Sequence, residues 1–188
     1  MSKPSPSPVS DPAMPLPRRD MTSRPPEALS ALFAELEAVG GAIPLTQLAA
    51  LVARVPVTSE QLGDAIQIDG GAYVRTLVFE RAHVEVFVMA WLPGQRSPIH
   101  DHGGSACAVR VVSGAALERL YRKRADGLVV ATGERLLTGG RVTSSFDDDI
   151  HSFGNAVDAP ASVRDILVTI HAYSPPLRPT RKYEETLP

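Results

Sequence analysis

The sequence has few of the features that mark disulfide-stabilised, nucleic-acid-binding and membrane proteins. A single cysteine, Cys107, excludes a disulfide within the chain. The 19 Lys and Arg residues are outnumbered by 21 Asp and Glu residues, so the chain lacks the basic surface that binds nucleic acids or anionic membranes. No apolar run approaches the roughly 18 residues of a membrane span, and the N-terminus lacks the basic-then-apolar layout of a signal peptide. We therefore expect a cytoplasmic monomer with neither nucleic-acid nor membrane partners.

The chain is long enough for one domain with a proper core, at 188 residues and 44% hydrophobic composition. Residues 1–27 are rich in proline, serine and arginine. Such a segment buries too little apolar surface to offset its chain entropy, so it predicts a disordered tail. Residues 28–69 have helical periodicity, residues 70–177 have the alternation of strands, and residues 178–188 predict a C-terminal tail.

Short elements fill both patterned regions. Three helices are predicted: from Leu29 to Gly40, from a Thr46 cap through Arg54, and from Thr58 or Ser59 to about Ile66. After Gly70-Gly71 strands are predicted over 84–89, 106–112, 116–121, 128–131, 141–144 and 164–172. Many short strands separated by turns predict a mainly β fold, a barrel or jelly roll, preceded by a small helical segment.

Three histidines form a candidate metal site. His100 and His102 are two residues apart, so on a strand both rings project to one side and Asp101 points away in a structural role. His151 lies far downstream, where a returning strand can bring it alongside. Imidazole suits zinc, iron, copper and nickel, and an exposed strand pair is the alternative for the first two histidines.

The surroundings of these histidines resemble the two motifs of the cupins. Gly94, five intervening residues and His100-x-His102 match the first motif. Cys107 stands where the family has glutamate, and Gly114 follows at the expected distance. This resemblance implies a cupin jelly-roll barrel.

The second motif is present in a broken form. Gly140, His151 and Asn155 match it, whereas Phe146 and Asp148 replace its usual proline and second glycine. Without the glutamate, three neutral histidines leave a divalent metal with its full charge and with open positions. Such a site favours an incoming thiolate with room for dioxygen.

Longer strings narrow the resemblance to one family. WLPGQRSPIHDHGGSAC, HSFGN and HAYSPPL resemble the cysteine dioxygenase (thiol dioxygenase) family, over about Tyr73 to Leu177. The resemblance implies an Fe(II) enzyme that converts L-cysteine and O2 into cysteine sulfinic acid. The alternatives are a dioxygenase for 3-mercaptopropionate or mercaptosuccinate, and a non-catalytic cupin that binds a metal or a thiol.

The resemblance also implies roles for the metal site and its neighbours. His100, His102 and His151 fall on the iron ligands. Cys107 and Tyr173 fall on the pair that forms a thioether in the animal enzymes, although a buried inert thiol is the alternative for the cysteine.

A polar triplet lies at the end of the last predicted strand and just beyond it. Thr169, His171 and Tyr173 alternate, so all three can face the barrel interior. They resemble the family's Ser-His-Tyr relay, with threonine for serine, and core packing with satisfied polar tips is the alternative. The resemblance further implies a cis Ser174–Pro175 bond.

Arg75 is the candidate substrate clamp. A guanidinium offers a planar fork to a carboxylate, and the position resembles the arginine with which cysteine dioxygenases hold their substrate. Tyr73 resembles a tyrosine near the same carboxylate. Arg178 and Arg181 lie where relatives acting on 3-mercaptopropionate carry their arginine, but surface roles are expected for them.

Overall fold

Two β-sheets and a preceding group of short helices make up the structure. The computed structural model describes residues 18–158 and 165–186. The α-helices are α1 (Ser30–Val39), α2 (Leu45–Ala53) and α3 (Ser59–Leu62), with 3-10 turns at Glu27–Leu29 and Gly63–Ala65. The strands are β1 (Arg18–Asp20), β2 (Val74–Arg81), β3 (Val84–Trp91), β4 (Ala106–Ser113), β5 (Ala115–Lys123), β6 (Val129–Thr138), β7 (Val142–Phe146), β8 (Ile150–Asn155) and β9 (Leu167–Ser174).

The larger sheet has the order β1-β2-β3-β9-β4-β7, and the smaller sheet has the order β6-β5-β8. All neighbours are antiparallel except β1 and β2, which run parallel. This is the mainly β cupin fold that the sequence predicted, with the helices at its N-terminal end. No helix in the described part of the chain is long and apolar enough to span a membrane.

Strand β3 contributes side chains to two separate apolar clusters, one on each of its faces. Val86 and Val88 point outward, where they pack with the apolar faces of α1 and α2. Phe87 and Trp91 point inward, into the space between the sheets. Every residue of β3 is buried, because the helices cover one face of the strand and the smaller sheet closes the other.

The helices follow the prediction except at one cap. Helix α2 begins at Leu45 after Pro44, so the predicted cap at Thr46 is wrong. Proline fixes φ near the value that enters a helix, which lets the helix start earlier than a hydroxyl cap would indicate. Thr58 does cap α3, since its hydroxyl accepts a hydrogen bond from Gln61 N in a reciprocal capping box.

Both predicted tails are shorter than the sequence indicated. Arg18–Asp20 lie within the predicted disordered tail, yet they pair with residues 75–77 at the open edge of β2. Residues 1–17 lie outside the described residues. At the other end, residues 178–186 return to the barrel as a C-terminal strap, in which Lys182 pairs with His100 and Glu185 pairs with Val129. Backbone hydrogen bonds to existing strands hold these two segments in place. They therefore need no hydrophobic periodicity, and the sequence pattern did not indicate them.

Candidate metal centre and active site

Three histidines converge at one end of the barrel. The ligating atoms of His100, His102 and His151 all lie within 4.8 Å of one another. The prediction that the first two rings point into one interior is confirmed, but the segment that carries them is not a strand, since residues 98–104 form a loop with a β-bridge only at His100. Pro98 and two glycines at positive φ, Gly103 and Gly104, interrupt any continuous strand there.

Backbone pairing fixes two of the three ligands against each other. His100 N donates to His151 O at 2.9 Å, and His151 N donates to His100 O at 3.0 Å. The loop before His100 also packs directly against β8 at Gly154. A Cβ at this position would lie only 2.7 Å from Arg96 Cα. Glycine at this position therefore permits the close approach that brings the histidines together.

The ring nitrogens are arranged for metal binding. His100 Nδ1 donates to Pro98 O at 2.9 Å, which leaves Nε2 with a free lone pair. His102 Nδ1 is buried without a hydrogen-bond partner among the described residues, and its Nε2 lies 3.2 Å from Ser145 Oγ. Three imidazoles whose ligating atoms lie within 4.8 Å of one another fit a divalent metal ion.

Burial also keeps two of these rings in the form that binds metals. It lowers the pKa of His100 to about 4 and the pKa of His102 to about 2, with a further contribution from the nearby His151. Both rings are therefore neutral at pH 7 and have a lone pair to offer.

Glu118 on β5 completes the centre, and sequence reasoning missed it. Its side chain is 1% exposed, its Oε1 accepts from His151 Nδ1 at 2.8 Å, and its Oε2 accepts from Thr143 Oγ1 at 2.9 Å. Burial raises the pKa of Glu118, but these two hydrogen bonds and the charges of His151 and Arg135 together outweigh burial, so the net shift is downward. The available signal was alternation, because Glu118 shares the inward face of β5 with Ala116.

Cys107 and Tyr173 stand directly opposite each other in the β4–β9 ladder. Both side chains line the cavity beside the histidines. Burial raises the pKa of Cys107 to about 12 and the pKa of Tyr173 well above its ordinary value. Both groups therefore keep their protons at pH 7.

The polar triplet of β9 forms one hydrogen-bonded chain. His171 Nδ1 lies 3.2 Å from the Tyr173 hydroxyl, and its Nε2 lies 3.0 Å from Thr169 Oγ1. Thr169 in turn accepts a hydrogen bond from Trp91 Nε1 at 3.0 Å. If Thr169 donates to His171, the ring donates to the Tyr173 oxygen and the Tyr173 proton is free for the cavity. Burial lowers the pKa of His171 well below its ordinary value, so this ring is neutral.

Arg75 forms no ion pair with the described residues. Its Cζ lies 4.4 Å from the centre of the Phe87 ring, and its buried Nε has no hydrogen-bond partner among the described residues. No carboxylate of the described residues lies within 4 Å of its guanidinium. Tyr73 stacks on Trp91 at a centroid distance of 3.9 Å. The site thus contains the positive charge of Arg75, which is packed against the ring of Phe87.

One cavity of about 170 Å³ collects eight of the nine predicted site residues. These are Tyr73, Arg75, His100, His102, Cys107, His151, His171 and Tyr173. Thr169 lies one hydrogen bond behind His171. Arg178 and Arg181 do not line the cavity, in line with their expected surface roles, whereas Thr180 and Lys182 of the strap do.

Two backbone and side-chain predictions near the cavity are confirmed. The Ser174–Pro175 peptide bond is cis. Asp101 points away from the cavity and accepts hydrogen bonds from Arg181 N at 3.0 Å and from the Tyr183 hydroxyl at 2.8 Å. Asp101 therefore anchors the C-terminal strap.

A family model described as cysteine dioxygenase type I matches residues 38–186. The chain belongs to this family. A zebrafish (Danio rerio) protein named cysteine dioxygenase type 1 is 27% identical over 125 residues, which cover 63% of this chain and 59% of the zebrafish protein. The chain thus combines membership of this cupin family with a cluster of three histidines that could hold a metal ion.

A solved structure supports the fold independently. It is an uncharacterized conserved protein with a double-stranded β-helix domain from Klebsiella pneumoniae, at a TM-score of 0.50 and 19% identity. The match covers 70% of this chain and 94% of the other. At this identity the likeness concerns the fold alone.

Proposed function

We propose that this chain is an Fe(II)-dependent dioxygenase that oxidises a small thiol carboxylate, with L-cysteine as the expected substrate. The observation that supports this proposal is a cavity that contains three histidines able to bind a metal, an arginine without an ion-pair partner among the described residues and a buried tyrosine hydroxyl. The reaction balances as RSH + O2 → RSO2H. The S–H bond and the O–O bond break, two S–O bonds and one O–H bond form, sulfur is oxidised and dioxygen is reduced.

The donor set fits a divalent iron site. Its imidazoles carry no charge of their own to the metal, and Glu118 holds the Nδ1 proton of His151 so that Nε2 remains the ligand. When bound, Fe(II) supplies the positive charge that lowers the pKa of a thiol and the electrons that activate dioxygen.

Arg75 orients the substrate. Its guanidinium forms a bidentate pair with the substrate carboxylate and, because its buried Nε has no protein partner, gains hydrogen bonds by doing so. Fixing the carboxylate sets the direction of the thiol relative to the histidines, which reduces the entropy cost of alignment. The apolar walls formed by Met89, Trp91 and Phe153 limit the entry of water.

Tyr173 supplies the proton donor. Burial keeps its hydroxyl protonated, and its oxygen is hydrogen-bonded to His171, whose other ring nitrogen is hydrogen-bonded to Thr169. The hydroxyl can therefore donate to negative charge that develops on oxygen, which is the role of a positioned general acid.

The pairing of Cys107 with Tyr173 supports the thioether that the family resemblance implies. Forming it joins Sγ to a ring carbon and removes one hydrogen from each, with dioxygen as the oxidant. The alternative is an inert buried thiol.

Reconstitution under anaerobic conditions with Fe(II), followed by oxygen uptake and sulfinate detection over a panel of thiols, tests the proposal. Turnover of L-cysteine is expected, and His151→Ala should abolish it. Turnover only of 3-mercaptopropionate or mercaptosuccinate would change the substrate, and binding without any oxygen uptake would favour a non-catalytic cupin. A cytoplasmic monomer remains our proposal from the sequence.

A further inference from the structure

Lys182 of the C-terminal strap faces the same cavity as the metal ligands. His100 pairs with His151 on one side and with Lys182 on the other, and both pairs are antiparallel. Residues directly opposite each other in an antiparallel pair project their side chains to the same face. Because His100 and His151 point into the cavity, Lys182 points there too, and it does line that cavity.

The neighbours of Lys182 fix this orientation. Arg181 N and the Tyr183 hydroxyl both donate to Asp101, which points outward between two inward histidines. Tyr183 N also donates to Ile99 O at 3.0 Å. Arg181 and Tyr183 line a separate outer groove with Asp101, whereas Thr180 and Lys182 line the inner cavity. The strap therefore alternates like a strand, and its register brings the lysine inward.

The cavity consequently carries two cations and no anion of its own. Arg75 comes from β2 and Lys182 from the strap, and no aspartate or glutamate is among the described residues that line the cavity. Neither cation has a carboxylate partner within 4 Å in the described residues, although other arginines of the chain are paired in this way. One substrate carboxylate on Arg75 leaves the charge of Lys182 unmatched.

We propose that Lys182 binds a second substrate carboxylate beside the one that Arg75 binds, so that a thiol with two carboxylates is preferred over the same thiol with one. This proposal rests on the proposed thiol oxidation but not on L-cysteine as the substrate. A second carboxylate on the substrate matches the second cation. Mercaptosuccinate is a suitable probe, because 3-mercaptopropionate differs from it only by lacking the second carboxylate.

The test compares these two thiols in wild type and in three variants. Lys182→Met removes the charge and keeps the length, Lys182→Arg keeps the charge, and Lys123→Met removes a lysine that contacts Tyr183 of the strap from the outer groove. We expect Lys182→Met to lower kcat/KM for mercaptosuccinate by roughly two- to fivefold, since the lysine is exposed and solvent screens its charge. Turnover of 3-mercaptopropionate should change little, Lys182→Arg should restore the preference, and Lys123→Met should preserve it.

Binding provides a second readout that does not depend on turnover. Anaerobic calorimetric titration of Fe(II)-loaded protein should show tighter binding of mercaptosuccinate than of 3-mercaptopropionate, and Lys182→Met should remove the difference. Equal binding of the two thiols in wild type would overturn the proposal, as would an equal loss for both thiols in Lys182→Met. A preference in binding without oxygen uptake would support the dicarboxylate site and refute the dioxygenase.

Discussion

Glu118 is the residue whose removal should reveal how the metal centre is held. It is buried, and it accepts the Nδ1 proton of His151 while Thr143 donates to its other oxygen. Glu118→Gln keeps the shape and can still accept from His151 through its amide oxygen, but it loses the negative charge. Glu118→Ala removes the acceptor and leaves the buried Nδ1–H of His151 without it.

The size of the effect follows from these contacts. A hydrogen bond to a charged group contributes about 1.5–3 kcal/mol, and each 1.4 kcal/mol corresponds to about a tenfold change in affinity. Loss of a carboxylate that orients a metal-binding histidine typically costs about 10- to 100-fold in metal affinity. We therefore expect Fe(II) to bind about tenfold more weakly in Glu118→Gln and about a hundredfold more weakly in Glu118→Ala.

Anaerobic competition with a chromogenic chelator measures this affinity directly. Glu134→Gln is the matched control, because it makes the same chemical change at a glutamate that is 51% exposed and paired with Arg119, the residue after Glu118 on β5. Melting temperatures separate a metal effect from general destabilisation. Unchanged Fe(II) affinity in Glu118→Ala would refute the assignment of Glu118 as the group that holds His151.

Three further predictions concern the cavity. Arg75→Met should lower kcat/KM for thiol carboxylates by about ten- to hundredfold, and cysteamine, which has no carboxylate, should be affected little in the same oxygen-uptake assay. Tyr173→Phe should lower kcat by about tenfold or more while Fe(II) affinity stays constant, and a loss of affinity would show that the hydroxyl serves the metal instead. In protein without the thioether, the pKa of Cys107 lies at about 12 instead of 9.0, so the unfolded chain loses this proton first and stability falls as the pH rises between those values. Denaturant melts of Cys107→Ala should show a shallower fall, and intact mass should report any thioether as a loss of two hydrogens.

Patterns along the chain were enough to predict most of the barrel and the residues that surround the cavity. The valines at 84, 86 and 88 recur at every second position of β3, and the spacing of His100, His102 and His151 carries the family motifs. The polar triplet of β9 could be placed on one face because alternation within a strand is a local property. Such features need no knowledge of which segments are neighbours in space.

The missed features all depend on partners distant in sequence. Glu118 lies 33 residues before His151, and nothing local indicates that the two side chains meet. Arg18–Asp20 form a strand only because β2 offers an open edge. Lys182 belongs to a segment that has the composition of a polar tail. Its orientation follows from the hydrogen bonds of its neighbours Arg181 and Tyr183 to Asp101, which lies 80 and 82 residues before them in the sequence.

Turnover with isotopically labelled dioxygen tests the central claim most directly. Fe(II)-loaded protein is mixed with a thiol carboxylate under labelled O2, and the oxygen consumed, the product mass and any peroxide are measured together. The site described above predicts one O2 consumed for each thiol, with both labelled atoms in the sulfinate. Oxygen uptake that yields disulfide and peroxide, or no uptake with any thiol of the panel, would contradict it.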